Sequence, residues 1–371
     1  MRKILWLMIV CLGAVLTGCA NNLVDPITTD PTHFYEEVRQ DFLIDAEVIS
    51  FPGDGTVTIY EATPRKLTQE QINSFLAANG DAVTEWTNLL DPNHYYGYTA
   101  NTSRNGFFRH SVSNSIMQPG SMDYSNSAFN RWCNANIYFG QAHFDGNAQY
   151  AFAHLFMEPK DFIFATAQEA LGEVQNQLAI LGFDNLLYHR TLYIDHDILA
   201  NKVTPALKTG EWQALTVDGI PTYDDWSEAD DGYIFEFLTG VDGIPLSYWT
   251  FINDTYNYNA DTVQVWYQPS GIVYLSAAFS LWDLGDPVES ISQLVSATEA
   301  LSVARIKLEN TKIYTNTVIN KVSGEYIYVS NDDRFSLRPA WVIYASYQDI
   351  STGITTQKCV VIDAVTGDEL M

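Results

Sequence analysis

Residues able to do chemistry are few in this chain, and they are scattered. Seven histidines are present, and the tightest grouping is His189 followed by Asp195-His196-Asp197. Even spacing from His189 to Asp195 puts both on one face of a strand. An imidazole beside carboxylates there could move protons or hold a metal ion. The plainer reading is a polar strand end entering a turn, and that one is preferred. Acids gather at Asp224-Asp225, Glu228 and Asp230-Asp231-Gly232. Calcium needs several oxygens converging on one ion. This run lacks the alternation of a calcium loop and Trp226 interrupts it, so it is expected to be a solvated acidic loop.

No His-Glu-x-x-His and no Gly-x-Ser-x-Gly occurs. Among 45 acidic residues any spacing can be found, so no pair of glycosidase carboxylates stands out. Aromatic residues make up 13% of the chain and cluster at Tyr95-Tyr96-Gly97-Tyr98, Tyr248-Trp249 and Tyr256-Asn257-Tyr258-Asn259. Tyr95, Tyr96, Tyr98 and Trp249 are candidate ligand contacts, able to stack on a sugar ring or grip a peptide. The alternative is packing in β-rich cores, where aromatics are favoured anyway.

The N-terminus carries a different chemistry. Met1-Arg2-Lys3 precedes an apolar run from Ile4 to Val15 and then Leu16-Thr17-Gly18-Cys19. A basic start, a short apolar core and a small-residue cleavage site make a signal peptide over residues 1–18. The run is too short for a comfortable membrane span. Leu16-Thr17-Gly18-Cys19 resembles a bacterial lipobox. That resemblance implies cleavage before Cys19, a lipid thioether on its sulfur, and a body held on the extracytoplasmic face of the cell membrane. With Cys11 removed and Cys19 lipidated, Cys133 and Cys359 remain. Outside the cytoplasm they could form a disulfide, or stay as buried thiols. No paired-ligand spacing for zinc is present, and no metal or cofactor is expected.

The 371 residues are 47% hydrophobic and 17% charged, with a formal net charge of −26. That apolar content fills real cores and excludes wholesale disorder. The acidity argues against nucleic-acid partners, which need basic patches. Residues 19–32 are polar with Pro26 and Pro31 and read as a tether. An α+β region is expected over 33–160, with strands at Phe42–Ile49 and Thr56–Tyr60 and a helix opened by the capping box Thr68/Gln71. The Asn-, Ser-, Gly- and Tyr-rich stretch 91–130 reads as loop. Asn136–Met157 reads as strand. Thr166-Ala167-Gln168-Glu169-Ala170-Leu171 is echoed by Ser296-Ala297-Thr298-Glu299-Ala300-Leu301, and each copy opens a helix with a capping box. The second helix has Leu301, Ala304, Ile306 and Leu308 at apolar spacing. Strands follow each helix, and turns are expected at Val241–Ile244, Gln268–Gly271, Val322–Glu325 and Ser351–Gly353. The fold class is α+β: curled antiparallel sheets, each backed by a helix. Two helix-plus-sheet units would cover 161–255 and 256–371.

Arg338-Pro339-Ala340-Trp341-Val342 and the closing Val361-Ile362-Asp363-Ala364-Val365-Thr366-Gly367-Asp368 resemble PepSY-like units of secreted Firmicutes proteins. They also resemble the C-terminal domains of the YycH and YycI accessory regulators. Gly243-Ile244-Pro245 and Tyr248 resemble a strand upstream in those domains, and the whole chain is similar to clostridial lipoproteins of comparable length. The resemblance implies repeated helix-plus-sheet units more than it implies an activity. It departs at the anchor, since those regulators use a transmembrane helix where this chain has a lipobox. The expected function is a non-enzymatic lipoprotein that binds or regulates another cell-envelope protein. A glycan-, peptide- or small-ligand-binding lipoprotein is the alternative, and a hydrolase with a dispersed acidic site a further one.

Overall fold

The computed structural model describes residues 32–370 except 53–55, 89–94, 114–119, 135–152, 185, 210–223, 253–254, 261, 279–281, 312–313, 332–333, 351–352 and 354. The signal peptide lies outside these residues, as does the tether apart from Thr32. The chain begins with the hairpin β1 (His33–Arg39) and β2 (Phe42–Ile49), then β3 (Val57–Pro64). Helix α1 (Gln69–Ala78) leads into β4 (Val83–Asn88), β5 (Tyr95–Thr102), β6 (Phe107–Ser113) and β7 (Gly120–Ser125), and α2 (Ser127–Asn134) follows. Helix α3 (Ala167–Ile180) leads into β8 (Leu186–Ile194), short helical turns over 196–209, and β9 (Gly232–Val241). Next come β10 (Ile244–Ile252), β11 (Thr255–Ala260), β12 (Thr262–Gln268) and β13 (Gly271–Ala278). The chain ends with β14 (Trp282–Ile291), α4 (Ala297–Asn310), β15 (Tyr314–Asn331), β16 (Arg334–Asp349) and β17 (Thr355–Asp363).

The strands form two sheets. Sheet I runs β4-β5-β6-β7-β13-β12-β9-β8, and every pairing is antiparallel. It consists of two helix-plus-meander units, α1 with β4–β7 and α3 with β8, β9, β12 and β13. Their last strands, β7 and β13, pair across a central seam. Both helices start at capping boxes, Thr68 with Gln71 and Thr166 with Glu169. They bury Ile72, Phe75, Leu76, Ala170, Val174 and Leu178 against one face of the sheet. Alternation along β9 does the rest: Tyr233, Phe235 and Phe237 face the helices, while Ile234 joins Trp132, Phe156 and Trp266 on the other side.

Sheet II is organised by the long hairpin β15–β16. Its base is flanked by β2, parallel to β15, and by β17. Its far half is flanked by β10, again parallel to β15, and by β3, which also pairs with β14. Helix α4 begins at the capping box Ser296/Glu299 and packs Ala297, Ala300, Leu301, Ala304 and Leu308 onto one face. Trp341 anchors that face and donates its Nε1–H to the Val295 carbonyl at 2.7 Å. The two sheets are joined by the β9–β10 turn, where Asp242 (φ 53°) and Gly243 (φ 80°) adopt the left-handed geometry expected of Asp-Gly.

The α+β class and the helix-backed sheets are therefore present, with corrections in detail. Sheet II is mixed, because β2 and β10 reach β15 by long connections that deliver them parallel. The described residues of stretch 91–130 hold three strands and the start of a helix, and a turn falls in the Asn101–Gly106 portion, with Asn105 at φ 52°. Most of Asn136–Met157 lies outside the described residues, and Ala153–Phe156 is a 3-10 turn rather than a strand. Ile306 is 60% exposed and does not join the helix core. Sheets and sequence blocks also cross over: β10 belongs to sheet II, whereas β12 and β13 return to sheet I. No helix among the described residues is long and apolar enough to cross a membrane.

Val322–Glu325 is not a turn. Gly324 lies inside β15 opposite Trp341. The Phe51 ring covers it, and a Cβ there would meet ring carbons at 3.0–3.1 Å. Phe51 in turn packs edge-on against Trp341 at 5.0 Å. The glycine thus serves close approach rather than chain reversal. Gly324→Val should cost about 2 kcal/mol through overpacking. Urea unfolding checks this, and an unchanged midpoint would show that Phe51 swings aside freely.

Candidate functional site

Two polar constellations stand out, both in sheet I. The first sits where β8 and β9 meet the helical turns. Ile194 pairs with Gly232, so the flanking Asp195 and Asp231 become neighbours. Asp195 caps the turn, its Oδ1 accepting the Asp197 N–H at 2.9 Å. The backbone N–H of His196 donates to Asp231 Oδ1 at 2.8 Å, and its Nδ1 lies 2.8 Å from the same oxygen. Lys160 pairs with Asp195 Oδ2. Burial pulls the His196 pKa down, but the hydrogen bond to Asp231 and the charges of Asp231, Asp197 and Asp195 outweigh it and leave it raised. Burial first, and the Asp195 charge as well, raise Asp231 against its bonds to His196.

One ligand atom each from Asp195, His196 and Asp231 lies within 4.8 Å of the others, a spacing a metal ion could bridge. Lys160 already neutralises Asp195 here, and both His196 hydrogen bonds converge on Asp231. What the geometry supports is a knot tying the helical turns to the sheet. His189 is exposed and takes no part, because a bulge between Tyr188 and Arg190 breaks the even spacing. The acidic loop is solvated only in part. Asp224 is exposed and pairs with Lys208. Asp230 and Asp231 are buried, and Asp230 accepts from the Ser227 N–H at 3.0 Å. Trp226 is buried too, donating to Thr204 Oγ1 at 2.9 Å.

The second constellation is a row of polar residues on the face opposite α1 and α3. Register aligns Thr87, Thr99, Arg109, Asp123, Ser276, Gln264, Glu236 and Arg190, one from each strand of the sheet. At one end Glu236, 2% exposed, takes the Arg190 guanidinium at 2.5 and 3.2 Å and the Gln264 amide at 3.1 Å. Towards the other end Ser276 donates to Asp123 Oδ1 at 3.1 Å, and Ser111 and Ser121 lie 3.0 Å apart. The Asp123 pKa is raised by burial, with the Ser276 bond and the Arg109 charge opposing. Two guanidiniums balance two carboxylates, so the row is neutral within a strongly acidic chain. Its sequence signal is a single polar residue between large apolar ones, as in Phe235-Glu236-Phe237 and Val263-Gln264-Val265.

The other expected site residues lie on several elements. Tyr98 is half-buried and packs edge-on against Trp86 at 5.7 Å, within the helix-facing core. Tyr95 and Tyr96 pair along β5 with Ser113 and Val112, and Trp249 pairs along β10 with Tyr258. The side chains of these three lie outside the described set. Cys359 is a free, buried thiol on β17, and the side chain of Cys133, on α2, lies outside the described set. Cys19 lies outside the described residues. Between the sheets opens a cleft of about 520 Å³, mouth included, lined by Arg65, Phe183, Leu186, Val241, Trp282 and Tyr328 among others. Arg65 bridges it, donating to Asp283 Oδ1 at 2.6 Å, to the Trp282 carbonyl at 2.9 Å, and to the Gly182 carbonyl.

No family model matches the chain, and no curated protein does. Among solved structures it is similar to the crystal structure of an uncharacterized protein from Eubacterium rectale, with a TM-score of 0.59 and 16% identity. The match covers 92% of this chain and 94% of that one, so it shows a shared fold over nearly the whole length.

Two histidines should give opposite pH dependences. His110 is fully buried, and its Nε2 accepts the Leu67 N–H at 3.1 Å. Burial lowers its pKa to about 4. The unfolded imidazole, near 6.5, takes up a proton first, so stability is lost as pH falls from about 6.5 towards 4, by about 3 kcal/mol. His196, with a raised pKa, contributes stability that is full below about 6.5 and lost as pH rises through its folded value. Denaturant titrations across pH on His110→Gln and His196→Gln check this, and each variant should flatten only its own limb.

Proposed function

We propose that the chain is a lipid-anchored extracytoplasmic binding protein of the cell envelope, built from PepSY-like helix-plus-meander units, that holds or regulates a partner without turning it over. The polar row of sheet I carries this reading. Its side chains project from the middle of a paired sheet, and rigid elements hold them in register, as recognition requires. Several features support the rest. The lipobox-like Leu16–Cys19 supplies the anchor. The units α1 with β4–β7 and α3 with β8, β9, β12 and β13 fit repeated helix-plus-sheet building blocks. The His196 ring is engaged by carboxylates, and among the described residues no hydroxyl or thiol is hydrogen-bonded to it.

Cys19→Ser should abolish lipid labelling and move the protein from the membrane pellet to the soluble fraction. Retention in the pellet by the variant would remove the lipid anchor from the proposal. A photo-crosslinker at Thr99 should give, in cells, an adduct that Arg109→Ala abolishes. Absence of any such adduct would remove the row as the binding surface.

A further inference from the structure

We propose that the Thr99–Ser276 end of the polar row binds a neutral, hydroxyl-rich carbohydrate chain. The inference rests on the binding-protein reading above and names its ligand class. Thr99, Arg109, Asp123 and Ser276 lie side by side on four adjacent strands, with the Ser111/Ser121 pair next to them. Arg109 is exposed, whereas Thr99, Ser111, Ser121, Asp123 and Ser276 are half-buried. Phe107 stands two residues before Arg109 and so on the same face. It is 36% exposed, and the Arg109 guanidinium lies over its ring at 5.6 Å.

This set matches what a sugar presents. Planar Arg and Asp groups fit adjacent hydroxyls as donor and acceptor, and short Ser and Thr hydroxyls complete the polar contacts. An aromatic face accepts the apolar side of a pyranose ring. Charge narrows the ligand further. One guanidinium offsets one carboxylate, although acids outnumber bases 45 to 19 in the chain. Such a surface selects neither a strong anion nor a cation. Position argues against an extended peptide, which adds to a sheet through an edge with unpaired backbone groups. Strands β5, β6, β7 and β13 are each paired on both sides, so side chains alone are left to bind.

The test is calorimetric titration of the protein, lacking only its signal peptide, with cellohexaose, chitohexaose, mannohexaose and, as an anionic control, tetragalacturonate. At least one neutral hexaose should bind, and tetragalacturonate should not. Phe107→Ala and Arg109→Ala should each weaken binding at least tenfold while the melting temperature stays within a degree or two of the parent. Ile306→Ala, on the exposed face of α4 in sheet II, should bind as the parent does. Failure of every neutral hexaose to bind the parent, or binding untouched by both variants, overturns the proposal. An in-cell adduct from Thr99 alongside no hexaose binding would sink the carbohydrate inference and leave the binding-protein reading standing. Hexaose binding by a chain whose Cys19→Ser variant stays in the membrane would do the reverse for the anchor.

Discussion

Pairing of β7 with β13 is the constraint on which sheet I depends. Each helix-plus-meander unit ends in a strand whose outer edge would otherwise be open, and the seam closes both edges at once. A buried polar knot fixes its register. Asn79, at the end of α1, donates to Tyr124 Oη at 3.1 Å on β7 and exchanges bonds with the Ile272 backbone on β13. Tyr124 Oη donates to Asp81 Oδ2 at 3.0 Å, and Asp81 Oδ1 accepts from Ser103 Oγ and the Arg104 N–H. Burial pushes the Tyr124 hydroxyl up to about 12. Burial also pushes Asp81 up, but its hydrogen bonds outweigh that and hold it below the usual carboxylate range. Buried polar groups cost free energy unless partnered. A one-residue slip at the seam would strand several of these together, so the knot makes register close to all-or-none.

Sheet II solves its edge problem differently. The β15–β16 hairpin is long enough to be flanked twice on each side, by β2 and β10 along one strand and by β17 and β3 along the other. Strands from the start, the middle and the end of the chain thereby share one scaffold. Arg65 lies where the chain leaves β3 for α1, and it clamps the end of α3 to the start of β14. The orientation of the two sheets thus relies on a guanidinium with three acceptors as well as on the β9–β10 turn.

The helices were legible in the sequence because a capping box is a local device. Thr68/Gln71, Thr166/Glu169 and Ser296/Glu299 each bond within four residues and need nothing from the rest of the chain. The Asp-Gly turn at 242–243 was legible for the same reason. What escaped was set by contacts from afar. Gly324 looks like a turn residue until Phe51 arrives over it. Strands β5 to β7 look like loop, because their row-facing positions carry Thr, Arg, Ser and Asp where a two-sided core would carry Val or Ile. The echo between α3 and α4 is of the same local kind, a capping box at each helix start. The partner of the α3 unit in sheet I is the α1 unit, which shares its capping box and its side of the sheet. The site was least legible of all, since eight residues from eight strands meet only through register.

Closure of sheet II imposes an order on folding. Tyr326 bonds to the backbone of Thr58, 268 positions away, and β2 finds its parallel partner only when β15 exists. Such long loops are slow to close, whatever the final stability. Sheet I draws on residues 69–278, so it is complete once β13 has been made. During synthesis from the N-terminus, the β1–β2 hairpin and β3 must wait for β14, β15 and β16 while a whole eight-stranded sheet forms downstream of them. The first strands of the chain are thus among the last to be placed, and the protein stays topologically open until its C-terminal segment is delivered.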